Sequence, residues 1–157
     1  MSVVIQTEPF DPASALAAFT ARQNGEPGAI VTFSGHVRGE GGLTALELES
    51  YDGLTEREIA RMETEARTGW PLLDVMIIHR YGPMAPVEAI VFVAAAAKHR
   101  RSAFEAADFL MDGLKTRAPF WKKEITEAGA RWIEPRAEDY VDASRWATAA
   151  PKQETSP

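Results

Sequence analysis

The chain contains no cysteine. That excludes a disulfide framework, a thiolate zinc site, an iron–sulfur cluster and a cysteine nucleophile or persulfide carrier. Long apolar runs are also missing. The longest, Ala89 to Ala97, falls far short of the roughly 20 residues that span a bilayer. The start, Met1-Ser2-Val3-Val4, has neither the basic head nor the apolar core of a signal peptide, so the expected compartment is the cytoplasm and no membrane is involved. His36, His79 and His99 share no metal-ligand spacing, so neither a metal nor a cofactor is expected. Gly39-x-Gly41 lacks the later glycine and the helix of a dinucleotide fingerprint, and there is no Walker lysine motif. Nor is there surplus positive charge: the net charge is −6 and the pI about 5.1, which argues against a nucleic-acid partner. What remains is 157 residues, 45% hydrophobic and 25% charged, the profile of one globular domain. Such a length buries roughly two-thirds of its unfolded surface without disulfide or metal.

Patterning divides the chain into mixed elements. Val3–Ile5 reads as a strand, and Asp11-Pro12 as an N-cap with proline at the first helical position. Leu16 and Phe19 mark the buried stripe of that helix. Ala29 to Arg38 reads as a strand running into the loop Gly39-Glu40-Gly41-Gly42, and Leu46 to Tyr51 as a half-exposed strand. Thr55-Glu56-Arg57-Glu58 and Ser102-Ala103-Phe104-Glu105 fit capping boxes. Behind them Ile59, Met62 and Ala66, and Phe104, Ala107, Met111 and Leu114, form buried faces. Val75–Tyr81 and Ile90–Ala96 are strands joined through Gly82–Pro86, and Phe120–Ile125 and Arg131–Ile133 are short strands. The expected fold class is α+β with a largely antiparallel sheet. Residues 1–146 form the domain, and 147–157 a small, polar, disordered tail.

Charge is unevenly spread. Lys98, Arg100, Arg101, Lys115, Arg117, Lys122 and Lys123 face only Glu105, Asp108 and Asp112 within residues 98–123, which makes that window +4 and the rest −10. A basic island in an acidic chain suits a small anion, although a solvated helix face gives the same pattern. Lys98-His99-Arg100-Arg101 precedes a helix start, where free N–H groups favour phosphate. Lys115 to Glu124 sets cations beside Phe120 and Trp121, the make-up of a pocket for a flat organic ligand. His79-Arg80 at a strand end is a candidate functional pair, with a satisfied structural histidine as the favoured reading.

Five segments occur in a recognisable order: Phe33-Ser34-Gly35-His36-Val37-Arg38, His79-Arg80-Tyr81-Gly82, Lys98-His99-Arg100, Ala103-Phe104-Glu105-Ala106 and Leu114 through Glu124. Together they resemble the large, catalytic subunit of molybdopterin synthase, over about Val3 to Trp146. The resemblance implies an α/β-hammerhead-type fold and a central homodimer. Each large subunit would bind a small ubiquitin-like sulfur-carrier subunit, giving a heterotetramer. The carrier's C-terminal Gly-Gly tail, ending in a thiocarboxylate, would deliver sulfur to cyclic pyranopterin monophosphate. Two such transfers form the dithiolene of molybdopterin, in molybdenum cofactor biosynthesis. By resemblance Lys115 is the catalytic lysine with Lys122 beside it. Arg38, His99, Arg100 and Arg136 would hold phosphate and pterin; His36, Val37, Lys123 and Glu124 would line the pocket, and Phe33 and Met111 its apolar wall. Two positions depart from the pattern: Val87, where glycine is frequent, and His36, where another polar residue is frequent.

The missing cysteines agree, since a sulfur transferase without a thiol receives its sulfur on a partner. Helix geometry adds a separate expectation. Ser102 and Lys115 lie about 20 Å apart on one helix, too far for His99 and Lys115 of one chain to grip one pterin monophosphate. His99 and Arg100 are therefore expected from a second copy. The competing readings are a non-catalytic module that binds a phosphorylated metabolite, and a scaffold that docks an acidic partner.

Overall fold

The computed structural model describes residues 2–148. In chain order the elements are β1 (Val3–Gln6), α1 (Pro12–Ala21), β2 (Ala29–His36), β3 (Leu43–Ser50), α2 (Leu54–Gly69), β4 (Leu72–Arg80), β5 (Gly82–Met84), β6 (Ala89–Ala97), α3 (Arg100–Thr116), β7 (Phe120–Thr126), β8 (Gly129–Ile133) and α4 (Ala137–Thr148). One sheet runs β1-β4-β6-β2 and the other β5-β3-β7-β8. Every pairing is antiparallel except β1 with β4, so the α+β expectation holds. Among the described residues no helix is long and apolar enough to cross a membrane.

The unbroken apolar run of β6 follows from its central place, with both faces covered. Val91, Val93 and Ala95 pack with Ile59, Met62 and Ala66 of α2 and with Ala106 and Leu110 of α3. Phe92, Ala94 and Ala96 turn the other way, onto Phe19 of α1. Val37, Leu46, Leu48 and Met84 form a third core at the junction of the two sheets.

Several local expectations change. Asp11 does cap α1, accepting from the N–H groups of Ala13 and Ser14; Leu16, however, is 38% exposed, leaving Phe19 as the buried anchor. Neither expected capping box forms. Helix α2 starts after Gly53, whose φ of 74° suits glycine. Buried Thr55 turns inward: its Oγ1 accepts from the Tyr51 N–H at 2.9 Å and donates to the Pro119 carbonyl at 3.0 Å. Helix α3 starts at Arg100, two residues before the expected box, and Glu105 accepts from Trp70 Nε1 at 2.9 Å. Its buried face is Ala103, Ala106, Ala107, Leu110 and Leu114, and Phe104 is 60% exposed. Small alanines bring α3 close to the sheet, so the bulky residue is the one turned out.

Two elements have weak sequence signals. Strand β5 is three residues long and its pairing with β3 ties the second sheet to the β4–β6 connection. Helix α4 is held from outside its own sequence: Trp146 Nε1 donates to Asp112 at 2.7 Å, and its ring meets Trp70 and Phe109 edge-on. Ala147 and Thr148 belong to that helix, so it runs past the expected boundary; the rest of the expected tail lies outside the described residues.

Val87 is the one non-glycine with positive φ among the described residues, at 79°, and it is 80% exposed. A β-branched residue there carries a steric cost of about 1–2 kcal/mol, partly offset in glycine by greater unfolded-state freedom. Val87→Gly is therefore expected to stabilise by about 1 kcal/mol, a Tm rise of roughly 2–4 °C by calorimetry. An unchanged or lower Tm contradicts the strain.

Candidate active site

A cleft of about 370 Å³ opens where the end of β2, the C-terminus of α3, strand β7 and the start of α4 meet. Lys115 enters it from the last turn of α3. The pleat of β7 sends Phe120, Lys122 and Glu124 into the cleft and their neighbours Trp121 and Lys123 to the other face. Register fixes the level of Lys122, paired with Leu48 on β3 and Ile133 on β8. Arg136 stands just before α4, its N–H donating to Asp139 at 2.9 Å and its guanidinium 3.4 Å from the same carboxylate. His36 and Arg38 reach the cleft from the end of β2, past a bulge between Gly35 and His36. His36 Nδ1 bonds the Val87 carbonyl at 3.1 Å. Arg38 is mostly exposed, its guanidinium 3.9 Å from Glu40, open to an incoming anion. Phe33 and Met111 supply apolar wall.

Of the sequence-derived site residues, Phe33, His36, Arg38, Met111, Lys115, Lys122, Glu124 and Arg136 converge. The others do not line this cleft. Val37 is 3% exposed, packed in the junction core. Lys123, on the opposite face of β7, pairs with Glu47 at 3.2 Å and lies over the Trp132 ring. His99 and Arg100 are exposed at the far end of α3, about 22 Å from Lys115 on the helical rise. The basic island is thus divided. Lys98 and Arg101 stay with His99 in solvent, and Arg117 is clamped by Glu65 at 2.7 Å and Glu58 at 3.0 Å. Only Lys115 and Lys122 of that island reach the cleft, joined by Arg38 and Arg136 from outside it.

Burial, then the Lys115 charge, push the Lys122 pKa below the ordinary lysine value; Asp139 and Glu124 act against this and Arg136 with it. His79, read from sequence as structural, lines the cleft as well. Burial pushes it down to about 4, with the Arg80 carbonyl opposing and Lys115 and Lys122 adding to the shift. Glu134 and Asp139 line it too. No spacing rule marks these three, because β8 and the start of α4 bring the acids in and a buried strand end brings the histidine.

A family model described as MoaE protein matches residues 5–117. The chain belongs to the MoaE family. It is 54% identical to the molybdopterin synthase catalytic subunit of Caulobacter vibrioides, over 93% of this chain and 97% of that one. Among solved structures, the molybdopterin biosynthesis MoaE protein from Burkholderia ambifaria superposes with a TM-score of 0.79 at 44% identity, covering 93% of this chain and 97% of that one. Molybdopterin synthase from Staphylococcus aureus gives a TM-score of 0.76 at 32% identity, covering 85% and 97%. Membership in the MoaE family puts the chain in molybdenum cofactor biosynthesis, among sulfur-transferring enzymes.

The buried histidine gives this MoaE-family cleft a pH signature. Its folded pKa of about 4 lies below the usual 6.5, so the unfolded chain takes up a proton that the folded one refuses. Stability from His79 is complete above the unfolded value and is lost as pH falls through the window between the two. By about pH 5 the loss is roughly 2 kcal/mol. Urea unfolding at about pH 7.5 and about pH 5 is expected to show this loss in the native chain and little of it in His79→Phe. Equal losses in both proteins contradict the buried neutral ring.

Proposed function

We propose that residues 1–146 form the catalytic domain of a cytoplasmic molybdopterin synthase, acting on cyclic pyranopterin monophosphate with a thiocarboxylated ubiquitin-like carrier as sulfur donor. The observation that carries this reading is the convergence of Lys115, Lys122, Arg38 and Arg136 on one open cleft in a chain without cysteine. Two anions, thiocarboxylate and phosphate, must share that space. At about 4 Å and an effective dielectric near 20 their repulsion costs about 4 kcal/mol. Four cations offset it.

Roles follow from position. Lys115 acts as general acid/base at the reacting carbons. Lys122, half-buried and without a counter-ion within 4 Å among the described residues, neutralises the carrier's terminus. Arg38 and Arg136 grip phosphate through their planar forks. His36 and Glu124 border the substrate, and Phe33 and Met111 face the pterin ring. His99 and Arg100 serve the cleft of a second copy, which makes the working unit a homodimer carrying two carriers. Val37 and Lys123 act indirectly, through the core and the outer face of β7.

Lys115→Ala is expected to lower turnover by about 10³-fold or more while carrier affinity stays within about threefold, measured with thiocarboxylated carrier and pyranopterin substrate. Near-native turnover refutes the role, and substrate binding without turnover in the native protein favours a metabolite-binding module instead. A mixed dimer tests the shared site: Lys115→Ala on one chain and Arg100→Ala on the other leaves one intact site if sites are shared, and none if each chain works alone.

A further inference from the structure

Arg80 and Glu88 carry none of the roles above, but together they hold the turn on which the end of β2 rests. Ala85-Pro86-Val87-Glu88 joins β5 to β6. The Glu88 N–H donates to the Ala85 carbonyl at 3.2 Å, proline stands second, and Val87, third, has a φ of 79°. This is the pattern of a type II turn, whose third position suits glycine. With valine there, the turn needs support from outside itself. Glu88 supplies it: its Oε2 accepts from the Ala85 N–H at 2.6 Å and faces Arg80 Nη1 at 3.4 Å. Arg80 is buried, its Nε and Nη2 donating to the Thr7 carbonyl at 3.2 and 3.0 Å. Its Nη1 is enclosed and makes no hydrogen bond, so among the described residues the Glu88 carboxylate is the charge that offsets this guanidinium.

The same turn brackets Arg38. The Val37 N–H donates to the Glu88 carbonyl at 2.9 Å, and the Val37 carbonyl accepts from the Val87 N–H at 2.8 Å. The Val87 carbonyl accepts from His36 Nδ1 at 3.1 Å. On the other side of Arg38, a Cβ added to Gly39 would stand 3.3 Å from the Pro86 side chain. Past that point the loop has little support: at Gly41 and Gly42 an added Cβ would meet nothing within 4 Å. We propose that Glu88 is a positioning residue for substrate binding: paired with Arg80 it fixes the β5–β6 turn, and the turn aims Arg38 at the substrate's phosphate. The inference rests on the phosphate-gripping role given to Arg38. A guanidinium fork grips an anion best when two of its N–H groups meet it together. The Arg38 side chain is mostly exposed, so its aim is set by the backbone that carries it. Lys115 and Lys122 are carried by other elements, α3 and β7, so the effect falls on binding rather than on the chemical step.

The test compares Glu88→Ala, which removes both side-chain contacts, with Glu88→Gln, which keeps an acceptor oxygen. Glu88→Ala is expected to raise KM for cyclic pyranopterin monophosphate about tenfold, the weakening of one charge-assisted bond, with kcat within about threefold. Glu88→Gln is expected to keep KM within about threefold of native. A general loss of folded enzyme would instead lower kcat and leave KM alone. Because Glu88 acts through Arg38, Glu88→Ala is expected to change KM less than about twofold in an Arg38→Ala background. A second arm needs no sulfur transfer: amide hydrogen exchange, read by NMR on the full chain without carrier or substrate. The Val37 and Val87 N–H groups are expected to exchange about tenfold or more faster in Glu88→Ala, beyond any change at Val93 in the middle of β6. With that exchange seen, a native protein that makes no molybdopterin sinks the functional reading alone. Native KM in Glu88→Ala, or an effect that multiplies fully with that of Arg38→Ala, overturns the positioning role, as does native exchange at Val37. Should Glu88→Ala not fold with the Arg80 charge stranded, Arg80→Met combined with Glu88→Leu removes both partners and is read in the same two ways.

Discussion

Four cations gathered in one cleft, two of them lysines with no ion pair within 4 Å among the described residues, define this molecule. Lys115 and Lys122 share one cleft with Arg38 and Arg136; among the described residues Arg136 is paired with Asp139 and Glu138, and Arg38 lies 3.9 Å from Glu40. Nearby cations and lost hydration both work against the Lys122 charge. A fold tolerates such a site when rigid packing elsewhere supplies the stability, and the arrangement gains when anions arrive. The alternation of β7 is what makes the concentration possible, since one strand delivers Lys122 to the cleft and sends Lys123 to Glu47 on the far side.

The surroundings are built to hold that geometry. Thr55 links the turn before α2 to the Pro119 carbonyl, at the hinge between Lys115 and Lys122. Arg117 anchors the end of α3 to Glu58 and Glu65 of α2. Trp146 and Arg145 pin α4 to Asp112 of α3, which sets Arg136 at the cleft mouth. Each tie is a side-chain hydrogen bond or ion pair between elements distant in sequence, and each ends within a few residues of a cleft cation.

Sequence reasoning reached the architecture because hydrophobic period and turn residues are local signals: the apolar β6, the Asp11 cap, and the helix before and strand after Pro119 all appear where the pattern puts them. It failed where a local motif had a stronger tertiary use. Thr55 and Glu105 look like capping residues, yet each spends its side chain on a distant partner. The alanine face of α3 was overlooked because Phe104 carries more apolar weight, although small side chains set the contact. Residue resemblance found the lysines and arginines of the cleft. It gave no reason to promote His79, whose position depends on a buried strand end and on the stack with Phe120. The basic island, conspicuous in the linear charge count, is four groups with different surroundings: solvent, the cleft, the Glu58–Glu65 clamp on Arg117, and Glu47 beside Lys123.

Under the proposed function these cations receive two anions, and the carrier's terminal charge is the more accessible of the two to experiment. Calorimetry of the full chain with a carrier ending in the thiocarboxylate, and with the same carrier ending in a neutral amide, measures it directly. Binding is expected to be about tenfold or more weaker for the amide, the worth of one charge-assisted bond, with the difference largely gone in Lys122→Gln. Equal affinities for the two carriers in the native chain would contradict it.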